Sequence, residues 1–240
     1  MLGRLVYLGL LMLEYSNMSD KASSAVDQQA TLSFFGTGES SETIRQAPLS
    51  KREIKAYLLG AIHDGTLNKG KKIRISQKGN EWLKILQQLL KKLGYNSWIY
   101  KEGKNRKVYV LETLASFLDF NFDPLRLKTK REKVGYLRGF FDAEGGVPKT
   151  KKGKFYIQLV QKDREKLEKI KKLLEELKIK TGKIHNPSKR IDPNYWRLYV
   201  LKESWIKFVK VIGSWHPRKI KALGKRMKIW STPYSDIGVT

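Results

Sequence analysis

Two stretches of this chain alternate apolar and polar residues with a period of two: Ile73-Arg-Ile-Ser-Gln-Lys78 and Ile157-Gln-Leu-Val-Gln-Lys162. The alternation predicts two half-buried strands, and both end on the same Gln-Lys pair. With the isoleucines turned to the core, Arg74 and Ser76 point away from it, as do Gln158 and Val160. Each strand runs into a segment of helical period. Residues 81–93 put Trp82, Leu86, Leu89, Leu90 and Leu93 on one face, with Gly94 as a stop signal; residues 164–177 do the same with Leu167, Ile170, Leu173, Leu174 and Leu177. A hairpin-like stretch follows each helix, turning near Gly103-Lys104-Asn105 and near Asn186-Pro187-Ser188. A further helix is expected to begin near Thr113 and near Ser204.

The same order of elements therefore occurs twice, over about 49–124 and 128–230, with a short link at Asp123-Pro124. The expected fold is α+β: two pseudo-symmetric αββαββα repeats, residues 48–125 and 126–240, packed as one body. Residues 1–47 differ. They hold few lysines and open on a short apolar run with one arginine in its flank, too short to span a bilayer. They read as a weakly ordered leader, with an extra strand or helix docked on the core as the alternative.

Charge narrows the function. Lys and Arg total 49 against 23 Asp and Glu, a net charge of +26 and a pI near 10.1. Such a surface concentrates polyanions, above all DNA or RNA. The chain has no cysteine, which removes disulfides, thiolate metal sites and cysteine nucleophiles, and its three histidines do not suit a multi-imidazole zinc site. His63 and His216 read as packing or hydrogen-bonded residues. Trp82, Trp205 and Trp215 read as core, and core is also the expectation for Trp98 and Trp196 in the hairpins, with contact to DNA as the alternative.

Each repeat opens with a helix that ends in an acid followed by glycine: Tyr57-Leu-Leu-Gly-Ala-Ile-His-Asp64-Gly65 and Tyr136-Leu-Arg-Gly-Phe-Phe-Asp-Ala-Glu144-Gly145. Glycine and alanine inside a helix permit a close crossing, and glycine just past the end is expected to end each helix in the left-handed region. Two such helices side by side bring Asp64 and Glu144 to one end of their seam. Carboxylates at that negative end of the helix dipoles call for a cation, and hard oxygen ligands suit Mg²⁺. The spacing is unequal. Gly139 precedes Glu144 by five residues and Gly60 precedes Asp64 by four, so either the first helix packs differently or its last turn is distorted.

Residues 136–146 resemble the LAGLIDADG motif, with Asp142-Ala-Glu-Gly matching its D-A-[D/E]-G end, and residues 57–65 resemble the degenerate first motif of single-chain members. The resemblance covers about residues 49–230 and implies a single-chain, free-standing or intron-encoded homing endonuclease. It implies that paired motif helices join the halves under antiparallel sheets that form a saddle for double-stranded DNA of roughly two-fold character. Asp64 and Glu144, with Gly65 and Ala143, would hold Mg²⁺ (or Mn²⁺), and Gln77 and Gln161 would help position the attacking water. Lys128 and Lys219 match the family's basic residues. On the DNA face the resemblance implies Asn68, Lys72, Arg74, Ser76, Tyr100, Arg106, Lys149, Lys154, Gln158, Lys183, His185 and Arg197. Two other functions fit the same basic saddle: an RNA maturase acting on an intron, and a DNA-binding protein that has lost cleavage. A monomer working inside the cell, an organelle included, with no membrane partner is expected.

Overall fold

The computed structural model describes residues 48–68, 71–148 and 153–227. The leader expected at residues 1–47 lies outside them, as does Lys149. The first half runs α1 (Lys51–Ala61), a 3₁₀ turn (Ile62–Asp64), β1 (Gly65–Asn68), β2 (Lys72–Gln77), α2 (Glu81–Lys92), β3 (Ser97–Glu102) and β4 (Val108–Thr113). The second runs α3 (Lys130–Glu144), β5 (Gly145–Gly146), β6 (Gln158–Gln161), α4 (Arg164–Glu176), β7 (Trp196–Tyr199), α5 (Trp205–Val211) and α6 (Pro217–Met227). Both sheets are antiparallel, in the orders β1-β2-β4-β3 and β5-β6-β7. Among the described residues, the second lacks a full counterpart of β3 and keeps single bridges in its place, Thr181 with Val200 and His185 with Arg197.

The two motif helices start alike because the sequence starts them alike. Ser50-Lys-Arg-Glu53 and Thr129-Lys-Arg-Glu132 each form a capping box. Ser50 Oγ accepts from the Glu53 amide at 3.3 Å while the Glu53 carboxylate accepts from the Ser50 amide at 3.2 Å. Thr129 and Glu132 repeat this at 3.1 and 2.9 Å. Each box satisfies two of the amides that a helix start leaves without partners. This second repeat signal stands in the sequence and adds to the Gln-Lys pair.

The amphipathic helices cover the sheets as the periodicity predicts. Trp82, Leu83, Leu86, Leu89 and Leu90 of α2 are buried with Ile75 and Leu111, and Leu167, Ile170, Leu173 and Leu174 of α4 are buried with Leu159 and Leu198. A fully buried Leu or Ile stabilises by roughly 1.5–3 kcal/mol, so these two faces outweigh any local propensity in fixing the register. Both helices end in the same hydrogen-bond pattern. Tyr95 N donates to Leu90 O and Gly94 N to Lys91 O; in α4 the donors are Ile179 N to Leu174 O and Lys178 N to Glu175 O. That motif needs a left-handed residue, which is Gly94 at φ 85° in one half and Lys178 at φ 58° in the other. A side chain in that region costs roughly 1–2 kcal/mol, and glycine gives back about 0.5–1 kcal/mol through the unfolded chain. Lys178→Gly is therefore expected to raise the melting temperature by roughly 2–4 °C; an unchanged or lower value would contradict the strain.

Two expectations are corrected. No helix follows Thr113: the chain passes through turns to a 3₁₀ turn at Pro124–Arg126. Here side-chain oxygens take the amides that a helix would use, Thr113 from Ala115, Asp119 from Asn121 and Asp123 from Leu125, and Pro124 then supplies no amide. The second half does form its helix after Ser204 and adds α6. The glycines past the motif helices are not left-handed either. Gly65 has φ −104° and Gly145 φ −80°, both extended. They are required for room, since a Cβ on Gly145 would stand 2.1 Å from the Phe141 ring and one on Gly65 2.8 Å from the Ile62 carbonyl oxygen.

Candidate active site and nucleic-acid interface

α1 and α3 cross at glycines. A Cβ on Gly60 would lie 2.1 Å from the Tyr136 carbonyl oxygen, and one on Gly139 would lie 2.0 Å from that of Tyr57. The contacts are reciprocal, so Tyr57 to Gly60 matches Tyr136 to Gly139 across the seam. The missing residue of the first motif is absorbed after the crossing, because α1 ends at Ala61 and Ile62–Asp64 is wound as 3₁₀. A 3₁₀ residue rises about 2.0 Å against 1.5 Å in an α-helix, so both acids stand about 7.5 Å beyond their glycines. The distorted last turn is the outcome, and it restores the pairing of Asp64 with Glu144.

The pair is electrostatically costly. Asp64 is open to water on one side, yet the protein around it pushes its pKa up to about 7; Lys219 and the hydrogen bond from Gln77 Nε2 oppose the rise. Glu144 is half-buried and is pushed from 4.5 up to about 8, first by loss of water and then by the charge of Asp64. The charge of Lys219 acts on both. Its ammonium donates to the carbonyl oxygens of Phe141 and, at 2.7 Å, Asp142, capping the C-terminal end of α3. Burial lowers its pKa to about 8 against the pull of Asp142, Asp64 and Glu144.

Asp142 is buried and serves architecture. It accepts from Tyr57 Oη at 2.7 Å, from the Trp215 amide at 2.9 Å and from Ser214 Oγ. Trp82 Nε1 donates to Tyr57 Oη at 2.9 Å, and the Tyr57 and Trp215 rings lie 4.2 Å apart. This cluster fixes the loop that leads into α6 and so aims Lys219. His63 and His216 are packed as expected. His63 Nε2 lies 3.0 Å from Tyr136 Oη, His216 stacks on Trp82, and burial lowers both to about 3.

Among the expected active-site residues, the structure brings Asp64, Glu144, Gln77 and Lys219 together. Gln161 ends the matching strand, but its side-chain oxygen accepts from the Lys162 amide at 2.7 Å. Lys128 is a correction. It stands just before α3, whereas Glu144 ends that 15-residue helix, which separates them by about 20 Å. There it lines a cleft with Arg52, Lys55 and Arg126. Besides Lys219, the basic residue whose charge lowers the Glu144 pKa is Lys162. Its signal was the Gln-Lys ending shared by both strands.

The outward faces of the sheets carry the expected polar residues. On the first, Lys72, Ser76 and Arg106 are exposed, Asn68 is half-buried, and Arg74 and Tyr100 join Glu102 and Glu112 in one network. On the second, Lys154, Lys183 and His185 are exposed, Gln158 is half-buried, and Arg197 donates to Tyr199 Oη at 2.9 Å and Tyr195 Oη at 3.2 Å. Trp98, on β3 of the first sheet, is 50 % exposed and not core as expected, while Trp196 is half-buried under the Arg164 guanidinium. Trp82 and Trp215 are buried and Trp205 is half-buried against the second core.

Two repeats joined by glycine-crossed helices that end in acids match a family pattern, and the LAGLIDADG-like domain model matches residues 53–121 and 131–213. The chain belongs to the LAGLIDADG-like family. Homing endonuclease I-ApeI of Aeropyrum pernix is 26 % identical over 193 residues, 70 % of this chain and 85 % of that protein. The structure of the homing endonuclease I-DmoI in complex with DNA and Mn superposes with a TM-score of 0.53 at 26 % identity, covering 68 % of this chain and 98 % of that one. The N-terminal LAGLIDADG domain of DUF199/WhiA shares the fold, with a TM-score of 0.55 at 22 % identity over 72 % of this chain and 87 % of that domain. Among the described residues, no LAGLIDADG element or other helix is long and apolar enough to cross a membrane.

Proposed function

We propose that this chain is a site-specific double-stranded DNA endonuclease of the homing type, dependent on a divalent metal. The observation that carries the reading is the Asp64–Glu144 pair at the common C-terminal end of two crossed helices, kept opposed despite the shorter first motif. The donors fit a hard cation: two carboxylates made costly to ionise by loss of water, with the charge of Asp64 adding to the cost at Glu144, at the negative ends of two helix dipoles. Asp64 and Glu144, with the backbone carbonyls of Gly65 and Ala143, would hold Mg²⁺ or Mn²⁺. When bound, the metal supplies an activated water and stabilises the leaving oxygen of a phosphodiester.

The protein's own groups do the rest. Gln77 orients the Asp64 carboxylate by donating to it. Lys219 and Lys162 keep positive charge beside Glu144, where a phosphate would lie. Gln161, once released from the Lys162 amide, is the matching polar group for the second strand. The outward residues of both sheets would take the duplex, with Lys149 as a further expected contact, and most lysines would serve its phosphates. The chain works as a monomer, inside the cell with its DNA.

The test is cleavage of a genomic or randomised duplex library. Wild type in Mg²⁺ is expected to make double-strand breaks at one sequence, and neither Asp64→Asn nor wild type with chelator should make them. Sequence-selective retention without cutting would replace the reading with that of a DNA-binding protein. Retention of structured RNA alone would replace it with a maturase.

A further inference from the structure

The sheets of the two halves carry different chemistry at matched positions. Arg74 and Gln158 each stand three residues before the glutamine that ends its strand. Arg74 lies opposite Glu112 on β4, and Gln158 lies opposite Tyr199 on β7. A strand rises about 3.3 Å per residue, so both positions lie about 10 Å from the active-site end, or roughly three base-pair steps along a duplex.

In the first half, Arg74 Nη2 donates to Glu102 Oε1 at 3.0 Å and to Tyr100 Oη at 3.2 Å, and Tyr100 Oη donates to Glu112 at 2.9 Å. Arg74 Nε lies 3.0 Å from Glu112 Oε1 but is misaligned and makes no hydrogen bond. Two carboxylates on the outward face of a chain of charge +26 do not serve phosphates. In the major groove a carboxylate can accept only from an amino group, chiefly that of cytosine, while arginine donates to guanine O6 and N7. An arginine and a glutamate side by side match the two partners of one G·C pair. In the second half the matched pair, Gln158 and Tyr199, carries no charge of its own, and Arg197 approaches it only through the tyrosine hydroxyl. The Gln158 amide lies over Gly146, where a Cβ would stand 2.7 Å from Nε2, and Tyr199 Oη accepts from Arg197. A glutamine amide, donor and acceptor together, fits adenine N6 and N7.

We propose that Arg74 with Glu112 selects a G·C pair, that Gln158 selects an A·T pair at the equivalent place of the other arm, and that the target departs from two-fold symmetry there. The inference rests on the endonuclease reading. It is tested by selection of binding sites from random duplexes, with Ca²⁺ replacing Mg²⁺. Wild type should enrich a G·C pair in one arm and an A·T pair at the same distance from the centre in the other. Arg74→Gln with Glu112→Tyr, which transplants the second half's residues, should convert the first arm to A·T by roughly 5- to 150-fold and leave other positions alone. Arg74→Lys, which keeps the charge and loses the planar fork, should relax that one position. Identical pairs in both arms of the wild-type site, or a profile unmoved by both variants, would overturn the inference while leaving the endonuclease reading intact. Enrichment of no sequence by wild type would overturn both.

Discussion

Gly139→Ala is expected to destabilise the protein by about 3–5 kcal/mol, a large part of the 5–15 kcal/mol that typically separates folded from unfolded states. The added methyl would stand 2.0 Å from the Tyr57 carbonyl oxygen and 2.9 Å from the Ala61 amide nitrogen. Both are backbone atoms within a helix, so no side chain can turn aside and the two helices must part. Gly60→Ala meets the same obstacle from the other side, 2.1 Å from Tyr136 O and 2.7 Å from Phe140 N. Gly182→Ala is the control, with its nearest obstacle 3.8 Å away at ordinary contact distance. Urea unfolding reads the difference as a lower midpoint at a similar slope. An unfolding free energy for Gly139→Ala within about 0.5 kcal/mol of wild type would mean that the helices do not cross there.

Glu144→Gln is expected to lower cleavage by at least about 10³-fold, the scale of losing a group that stabilises transition-state charge. It is expected at the same time to stabilise the metal-free protein at alkaline pH. Asp64 and Glu144 have folded-state pKa values of about 7 and about 8, above the ordinary 3.8 and 4.5. Protonation thus favours the folded state. That contribution is complete below about pH 4 and is lost as the pH rises through about 7 to 8. Glutamine never ionises and escapes the loss. With chelator present, the variant should exceed wild type at pH 8–9 by on the order of 1–3 kcal/mol, and the gap should close near pH 5. Added Mg²⁺ should narrow it from the other side, because a ligand that binds only the folded state stabilises it. Equal melting curves at both pH values would show that Glu144 is not desolvated beside Asp64.

The repeat was legible because both halves write the same local chemistry: a glycine at the crossing, a strand ending on Gln-Lys and an amphipathic helix. What failed to read out was decided by neighbours in space. Residues 114–123 are rich enough in Leu and Phe to suggest a helix, but Thr113, Asp119 and Asp123 bond their own backbone instead. Gly65 and Gly145 look like left-handed caps, yet the pressure on them is steric. Lys128 precedes α3 and the acid follows it, so the length of the helix excludes an assignment that motif matching allowed. Lys162 lay beside a glutamine already singled out, but only the packed structure shows its charge acting on Glu144.

The Asp142 cluster has a bearing on how the chain reaches this state. Its hydrogen bonds join residues 85, 72 and 73 positions apart in sequence, from α1, from α3 and from the loop before α6. Contacts of such long separation form only after the intervening chain has been ordered, because closing the large loop costs entropy that only later contacts offset. Each half can assemble its sheet and covering helix from nearer neighbours. The buried carboxylate can find its three partners only when both halves and the C-terminal loop have arrived. Its closure therefore belongs at the end of assembly, and the order of folding makes Lys219 among the last residues to reach its working position.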